Sequence, residues 1–455
     1  MKSMLKYRLS SRLVIGGVTL SLFSATLCAQ SPQQIVRPPK TLLWMDVSTG
    51  SMAGMPEMDI PAGLGGLMGG LMGAMGGGNA KSTGKEYYGS ARTFHMMPPR
   101  ILDVALWNGL KPGVEATQNI PLGMKLGDKL PLLPILAEKV ATVTSEPRPE
   151  KEYEGTYERP KGRLLFYWGC SATVRPGQPR IIDLSKLSAD SAQAFGSAFG
   201  GKYAPDRGAK VREDYDVYPN ERDHRSLPRG ASLVGEHRIT GDGIPESFRF
   251  TLGAAHDVMP AIALQSRGDL KDSVALSWEP VANARAYFLN TMGAQGDDMV
   301  FWSSSDLPDT GMGLFDYLSN VTIDKWVKEK VLLASSATQC NVPKGIYGSQ
   351  EGKGRAGGGA MLRMIAYGGE HGFVHPPRPT DPKVPWDQEW SVRLRVKSNT
   401  MAMLGQDIDA RSSVTENNDR SEQSGEAEKE SSGSNPLSNL PIPGAAGLLK
   451  GLFGK

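Results

Sequence analysis

Between Ser273 and Ser303 the chain carries its clearest alternation of apolar and polar positions. Val274, Leu276 and Trp278 alternate with Ala275, Ser277 and Glu279, the period-two pattern of a strand with one buried face. Pro280 ends the run, because it cannot donate to a β-ladder. A second apolar run covers Ala284 to Leu289, and a third carries Met299, Val300, Phe301 and Trp302. Gly293, Gly296, Asp297 and Asp298 supply the turn between them. The pattern predicts antiparallel strands at the centre of a sandwich. Trp278 is expected between its two sheets, near Leu276, Phe288 and Phe301.

Similar runs recur along the chain. Thr41–Val47, Ile101–Trp107 and Arg163–Trp168 read as strands, the last so continuously apolar that both of its faces should be covered. Ser247–Leu252 alternates through Phe248, Phe250 and Leu252, and Met361–Tyr367 is a late strand. In Trp390–Val396 the residues Trp390, Val392, Leu394 and Val396 are expected inward, with Arg393, Arg395 and Lys397 outward. One segment breaks the β pattern. Ile323, Trp326, Val327 and Val331 have helical spacing, with Thr322 as N-cap. Pro376, Pro377, Pro379, Pro382 and Pro385 predict extended chain between the last two strands.

Trp278, Pro280, Val281, Ala284 and Tyr287 form a W-x-P-V-x-x-A-x-x-Y run that resembles the B and C strands of a fibronectin type III module. The resemblance covers fewer than forty of 455 residues. It implies a sandwich architecture and nothing about function, since sandwiches host many unrelated roles. The expected fold is mainly β, with two β-sandwich-like domains, the second locally fibronectin type III-like with an inserted helix. An N-terminal β domain is expected over 30–185, with a Gly/Met-rich insert at 51–82. A connector follows over 186–241 and a C-terminal sandwich over 242–403. A disordered tail with an apolar end closes the chain over 404–455.

The two ends change the picture. Lys2, Lys6, Arg8 and Arg12 precede a short apolar run to Leu27, and Ala29-Gln30 offers a cleavage point. This is the pattern of a secretory signal peptide over 1–29. Cys28 raises a lipoprotein alternative, but Leu27 is too large for a good lipobox. Export places the protein in the periplasm, the outer membrane or the medium. A formal net charge of only +3 gives no sign of a nucleic-acid partner. After signal removal two cysteines remain, Cys170 and Cys340. An oxidising compartment invites their pairing, and two separate buried thiols are the alternative.

Two Gly-rich apolar segments stand apart from the strand pattern. In 61–78, Leu64, Leu67, Met68, Leu71, Met72 and Met75 share one helical face, with glycines opposite. In 442–455, Leu448, Leu449, Leu452 and Phe453 can do the same. Both are expected to be contact elements for a membrane surface, another envelope component or a second copy of the chain, rather than core. The alternative is a flexible loop and a disordered end.

Candidate chemistry is sparse. Met52, Met55 and Met58 form M-x-x-M-x-x-M, with His95 and Met96 further on, and thioethers suit Cu(I). Methionine filling apolar patches is the plainer reading. His371 and His375 beside Glu370 lie among glycines and prolines that deny them helical geometry, which leaves a loop metal site or a surface loop. Asp46, Asp103, Asp183 and Glu279 sit in or beside strands, and no sequence spacing pairs them. There is no G-x-S-x-G, no H-E-x-x-H and no complete Walker A loop. No cofactor and no catalytic residue is implied. The expected role is non-catalytic binding, assembly or structure in the bacterial cell envelope. Its rivals are an envelope hydrolase acting on a glycan or other polymer, and a methionine-rich copper-binding protein.

Overall fold

A computed structural model describes residues 34–55, 88–135 without 94, 96 and 97, 162–186, 202–347 without 310 and 312, and 360–409 without 406. The expected signal peptide, the apolar segments 61–78 and 442–455, and nearly all of the tail lie outside the described residues.

The N-terminal half supplies β1 (Val36–Arg37), β2 (Thr41–Met52), β3 (Ile101–Asn108), β4 (Ala116–Asn119) and β5 (Lys129–Pro134). It continues with β6 (Arg163–Trp168), β7 (Arg180–Asp183), β8 (Tyr215–Tyr218), β9 (Gly235–Gly241) and β10 (Arg249–Leu252). The C-terminal half supplies β11 (Leu264–Arg267), β12 (Val274–Trp278), β13 (Ala286–Gln295) and β14 (Asp298–Ser303). Helix α1 (Asn320–Lys328) follows, then β15 (Leu333–Ala334), β16 (Gln339–Val342), β17 (Ala360–His375), β18 (Trp386–Asp387) and β19 (Trp390–Leu404). The fold is mainly β, as expected. No helix among the described residues is long and apolar enough to cross a membrane.

One open sheet dominates, in the order β10-β9-β4-β5-β8-β3-β2-β19-β17-β13-β14-β6-β7, with β15 beside the start of β13. A three-stranded sheet, β11-β12-β16, and a short ribbon, β1-β18, complete the pairing. Strands of the first half flank those of the second on both sides. β2 runs parallel to β19 along its whole length, and β6 runs parallel to β14. Pairing therefore crosses the boundary expected between two domains, and the expected connector supplies β8 and β9. Its charged stretch hides Tyr215–Tyr218, which is buried throughout.

Side-chain alternation gives the large sheet two different faces. One face carries Leu43, Met45, Val104, Leu289, Met364, Val392 and Leu394 into the main core, shared with Leu264, Leu276 and Val342 of the three-stranded sheet. Trp278 is buried in this layer, edge-on to Tyr287 with ring centroids 5.5 Å apart. The expected neighbours Phe288 and Phe301 are not there. Each lies one residue out of phase, so the pleat turns it to the opposite face, into separate clusters.

Two local features extend the strands beyond their expected ends. Gly368-Gly369 interrupts the β17–β19 register without ending it, because Gly369 adopts φ +90°. The Asn320 side chain then accepts from Glu370 N–H at 3.0 Å and donates to its carbonyl at 2.9 Å, replacing the broken ladder bonds. Asn320 opens α1, whose N-cap is Ser319 rather than Thr322. The Ser319 hydroxyl accepts from the Thr322 N–H, and Ile323 and Trp326 face inward.

Cys170 and Cys340 form a disulfide with Cα atoms 5.0 Å apart. It ties the end of the β6 region to β16 in the smaller sheet.

Trp278 has no hydrogen-bond partner for its indole N–H among the described residues. Trp278→Ala should therefore cost about 3–5 kcal/mol. Trp278→Phe, which removes the orphan donor while keeping a ring, should cost much less. Urea denaturation compares them, and an alanine variant as stable as the wild type contradicts this packing.

Candidate functional site

Between apolar clusters, the second face of the large sheet carries a row of ionisable side chains where an exposed face is expected, yet the row is buried. Register explains how. Asp46 on β2 lies opposite Asp103 on β3 and opposite Arg395 on β19, so three ionisable side chains form one row across three strands. Their sequence neighbours Met45, Val104 and Leu394 turn into the apolar core. Arg395 holds Asp46 through two hydrogen bonds, Nε to Oδ1 at 2.6 Å and Nη2 to Oδ2. The two side chains are only 1% and 2% exposed. Such a fork-to-carboxylate pair is directional as well as strong.

Aromatic rings and loop backbone close the row from above. The Arg395 guanidinium lies 4.6 Å from the Tyr317 ring centroid and 5.4 Å from that of Trp44. Lys397 sits 4.4 Å from the Tyr317 ring and donates to the Phe315 carbonyl at 2.8 Å. Arg363 stacks over Phe315 at 4.4 Å and donates to Asn399 Oδ1. Arg395 and Lys397 were expected outward; both are buried, because the 315–317 loop supplies rings and a carbonyl that replace water. Strand alternation separates two faces but does not say that one of them is wet.

Asp103 has a different set of partners. Its Oδ2 accepts from the backbone N–H groups of Gly89 and Ala91 at 3.0 and 2.8 Å, fixing a tight turn. That turn presents Arg92, which grips Asp316 through two nitrogens and Asp206 through a third bond of 2.6 Å. Burial, reinforced by Asp46 and Asp103, pushes the Tyr88 hydroxyl far above its ordinary value. Burial works against the Arg395 charge, but Asp46 more than offsets it and the net shift is upward. Lys397 has no such carboxylate in contact. Burial, aided by Arg363, pulls its pKa down to about 7.

Paired carboxylates, a depressed lysine and two tyrosines are the parts of acid–base chemistry. Here they are engaged with one another and sealed. Asp46, Asp103, Lys397 and Tyr317 are each 2% exposed or less. As arranged, the row fixes strand register and holds three loops against the sheet. Sequence spacing offered no pairing of Asp46 with Asp103, since the pairing arises only from the β2–β3 register.

The residues singled out for metal chemistry fall elsewhere. Met52 is half-buried at the end of β2 and Met55 is exposed just beyond it. The His95 ring is hydrogen bonded to Thr93 Oγ1 and the Ser90 carbonyl, each at 2.8 Å. Met58 and Met96 lie outside the described residues. His371 and His375 are on strand β17, not in a loop, and a four-step spacing along a strand sets them about 13 Å apart. Among the described residues no group of three or more His, Cys, Asp or Glu could hold a metal ion. No family model matches the chain, and no curated protein or solved structure matches it.

Two outcomes follow from the sealed row. Arg395→Met or Asp46→Leu alone strands a buried charge and should cost about 3–5 kcal/mol, whereas the double variant should recover most of the loss. Equilibrium unfolding of the four proteins measures the cycle; additive losses would mean the pair is not coupled. Lys397 adds a pH dependence. Its folded pKa is about 7, below the unfolded value of about 10.4. The folded state therefore binds fewer protons in between, and stability rises with pH from about 7 to 10. Lys397→Met should raise the melting temperature at pH 7 and flatten the slope between pH 7 and 10.

Proposed function

We propose that this is an exported, non-catalytic protein of the bacterial cell envelope, acting in binding or assembly through the end of the sheet where its two Gly-rich apolar segments depart. One observation carries the reading. The chain leaves the described body for the insert after Met55, and for the tail after Asp409, at neighbouring points. Ala53 N–H donates to the Met401 carbonyl at 2.8 Å, and a Cβ placed on Gly54 would lie 3.3 Å from the Ile408 side chain. Ile408 is buried and exchanges two backbone hydrogen bonds with Ser266, so the departure point of the tail is fixed. The insert that carries 61–78 and the tail that carries 442–455 thus leave the sheet at neighbouring points, which lets their apolar residues act on one partner surface.

Three further features support parts of this reading. The Cys170–Cys340 disulfide suits an oxidising compartment, in keeping with the signal-peptide pattern. The carboxylate row is committed to holding the sheet together, which favours a scaffold over a hydrolase. Strand order supports a fibronectin type III-like sandwich within the larger sheet. β11-β12-β16 faces β14-β13-β17-β19, the arrangement of an A-B-E sheet on a C′-C-F-G sheet.

Deleting 61–78 and 442–455 together tests the contact role. The truncated protein should keep its melting temperature and lose co-sedimentation with anionic liposomes, or co-fractionation with envelope material. A truncated protein that folds, elutes and fractionates like the full chain removes the contact role.

A further inference from the structure

The edge strand β10 does not end the large sheet in solvent. It packs across β17 and β19 near the Pro-rich connection between them. Phe248 stacks on Trp390 with centroids 4.9 Å apart, and the Trp390 indole N–H donates to the Ser247 carbonyl at 3.1 Å. Phe250 meets Phe373 at 5.9 Å. The turn after β10 then sets the His256 ring edge-on against His371 at 4.8 Å and against Phe373 at 5.1 Å.

We propose that this seam is an acid-operated latch, in which proton uptake by His371 releases β10 and the turn after it from β17 while the centre of the sheet stays paired.

The geometry assigns the His371 ring to its neutral form. His256, against which it packs, accepts a hydrogen bond on Nδ1 from the Gly253 N–H at 3.2 Å. His371 Nε2 is enclosed and has no hydrogen-bond partner among the described residues. A neutral ring meets that by carrying its proton on Nδ1; an imidazolium must also carry one on Nε2, a buried donor with no acceptor. Burial holds His371 below the ordinary imidazole value, and His256 and Arg285 act in the same direction.

Neighbouring elements offer no spare charge to balance the proton. Arg285 is cationic and already engaged with Asp324 of α1. Asp257 accepts from the Ser232 hydroxyl and from the N–H groups of Leu233 and Val258. On β17 itself Glu370 is taken by Arg393. Glu389 accepts from Ser247 and lies 3.8 Å from His375. On β9, His237 stacks on Phe250 and donates through Nε2 to the Leu233 carbonyl. Its Nδ1 faces Gln118, whose Oε1 has no other partner, so a half-turn of that amide accommodates a proton there. Glu236 and Arg238 on β9 and Arg249 on β10 are the remaining charges on those strands.

The sign follows from the downward shift of His371. The neutral seam is fully stable above an ordinary imidazole pKa of about 6.5 and loosens as pH falls through the lower, folded value.

Hydrogen–deuterium exchange of the full chain at pH 7.5 and 5.0, corrected for intrinsic rates, reads the latch. Peptides over 247–257 and 371–375 should exchange roughly tenfold faster or more at pH 5.0, with β2 and β3 unchanged. In the double variant His256→Gln, His371→Phe the protection should persist at both pH values. Glutamine can still accept the Gly253 N–H, as in a capping box, and phenylalanine keeps the ring contact. Unchanged exchange in the wild type at pH 5.0 overturns the proposal, as does a double variant that opens in the same way. Ring-proton titration of wild-type His371 by NMR decides the matter if the variant fails to fold. A midpoint below 6.5 supports the latch, and one at or above it overturns it.

Discussion

The structure depends on the parallel pairing of β2 with β19, and that pairing depends on the buried Asp46–Arg395 contact. Chain segments from opposite ends of the sequence must meet in one register. Apolar contact alone specifies it weakly, because the core faces of both strands are aliphatic at several successive positions. A slip of one residue would turn Arg395 into the apolar core and set Asp46 against an aliphatic neighbour. The penalty for an unpaired buried charge makes that state far worse than the native one. The ion pair thus adds less to total stability than its geometry suggests, and more to the choice of a single arrangement.

The layer above that pair follows from it. Once Asp46 and Arg395 are fixed, Asp103 is brought beside them by the β3 register and orients the turn at Gly89–Ala91. Arg92 then reaches Asp316, which holds the loop that carries Phe315 and Tyr317. Those two residues in turn receive Arg363, Lys397 and Arg395. Over the row the loops cover the sheet through charge-assisted and cation–π contacts, and beside it Leu314, Leu318 and α1 pack on Phe288, Ile365 and Tyr367 as a smaller apolar cluster. Such a lid is specific in its geometry, because each cation meets a particular ring, carbonyl or carboxylate.

Much of the secondary structure was legible because alternation is a local signal. The strands at Thr41, Ile101, Arg163, Val274 and Trp390 stand where their patterns place them, and two cysteines in an even count do pair. What local patterns lack is the identity of the layer on the other side. Arg395 and Lys397 look like solvent-facing residues until Tyr317 and Phe315 arrive from a distant loop. The Asp46–Asp103 pair is invisible for the same reason, since only strand register joins them. Phase errors are costly too: Phe288 and Phe301 are apolar and adjacent to core residues, yet each points to the other face. Asp216, in a segment too charged to suggest a strand, is buried with neither oxygen hydrogen bonded among the described residues, and burial raises its pKa to about 7. Nothing in its sequence neighbourhood announces that environment.

The ionisable row at the middle of the sheet is turned inward and sealed, and the two ends of the long strands are built differently. One end holds β1, β18 and the Pro-rich connection, with the β10 seam and its histidines close by. The other gathers the departures of the insert and the tail. The long strands β2, β17 and β19 run between these ends, and the Cys170–Cys340 bridge joins the end of β6 to β16. The places where the chain leaves the sheet after Met55 and after Asp409 are neighbours because Thr41–Met52 and Trp390–Met401 pair in one parallel register, so their proximity follows from the strand pairing rather than from the segments beyond them.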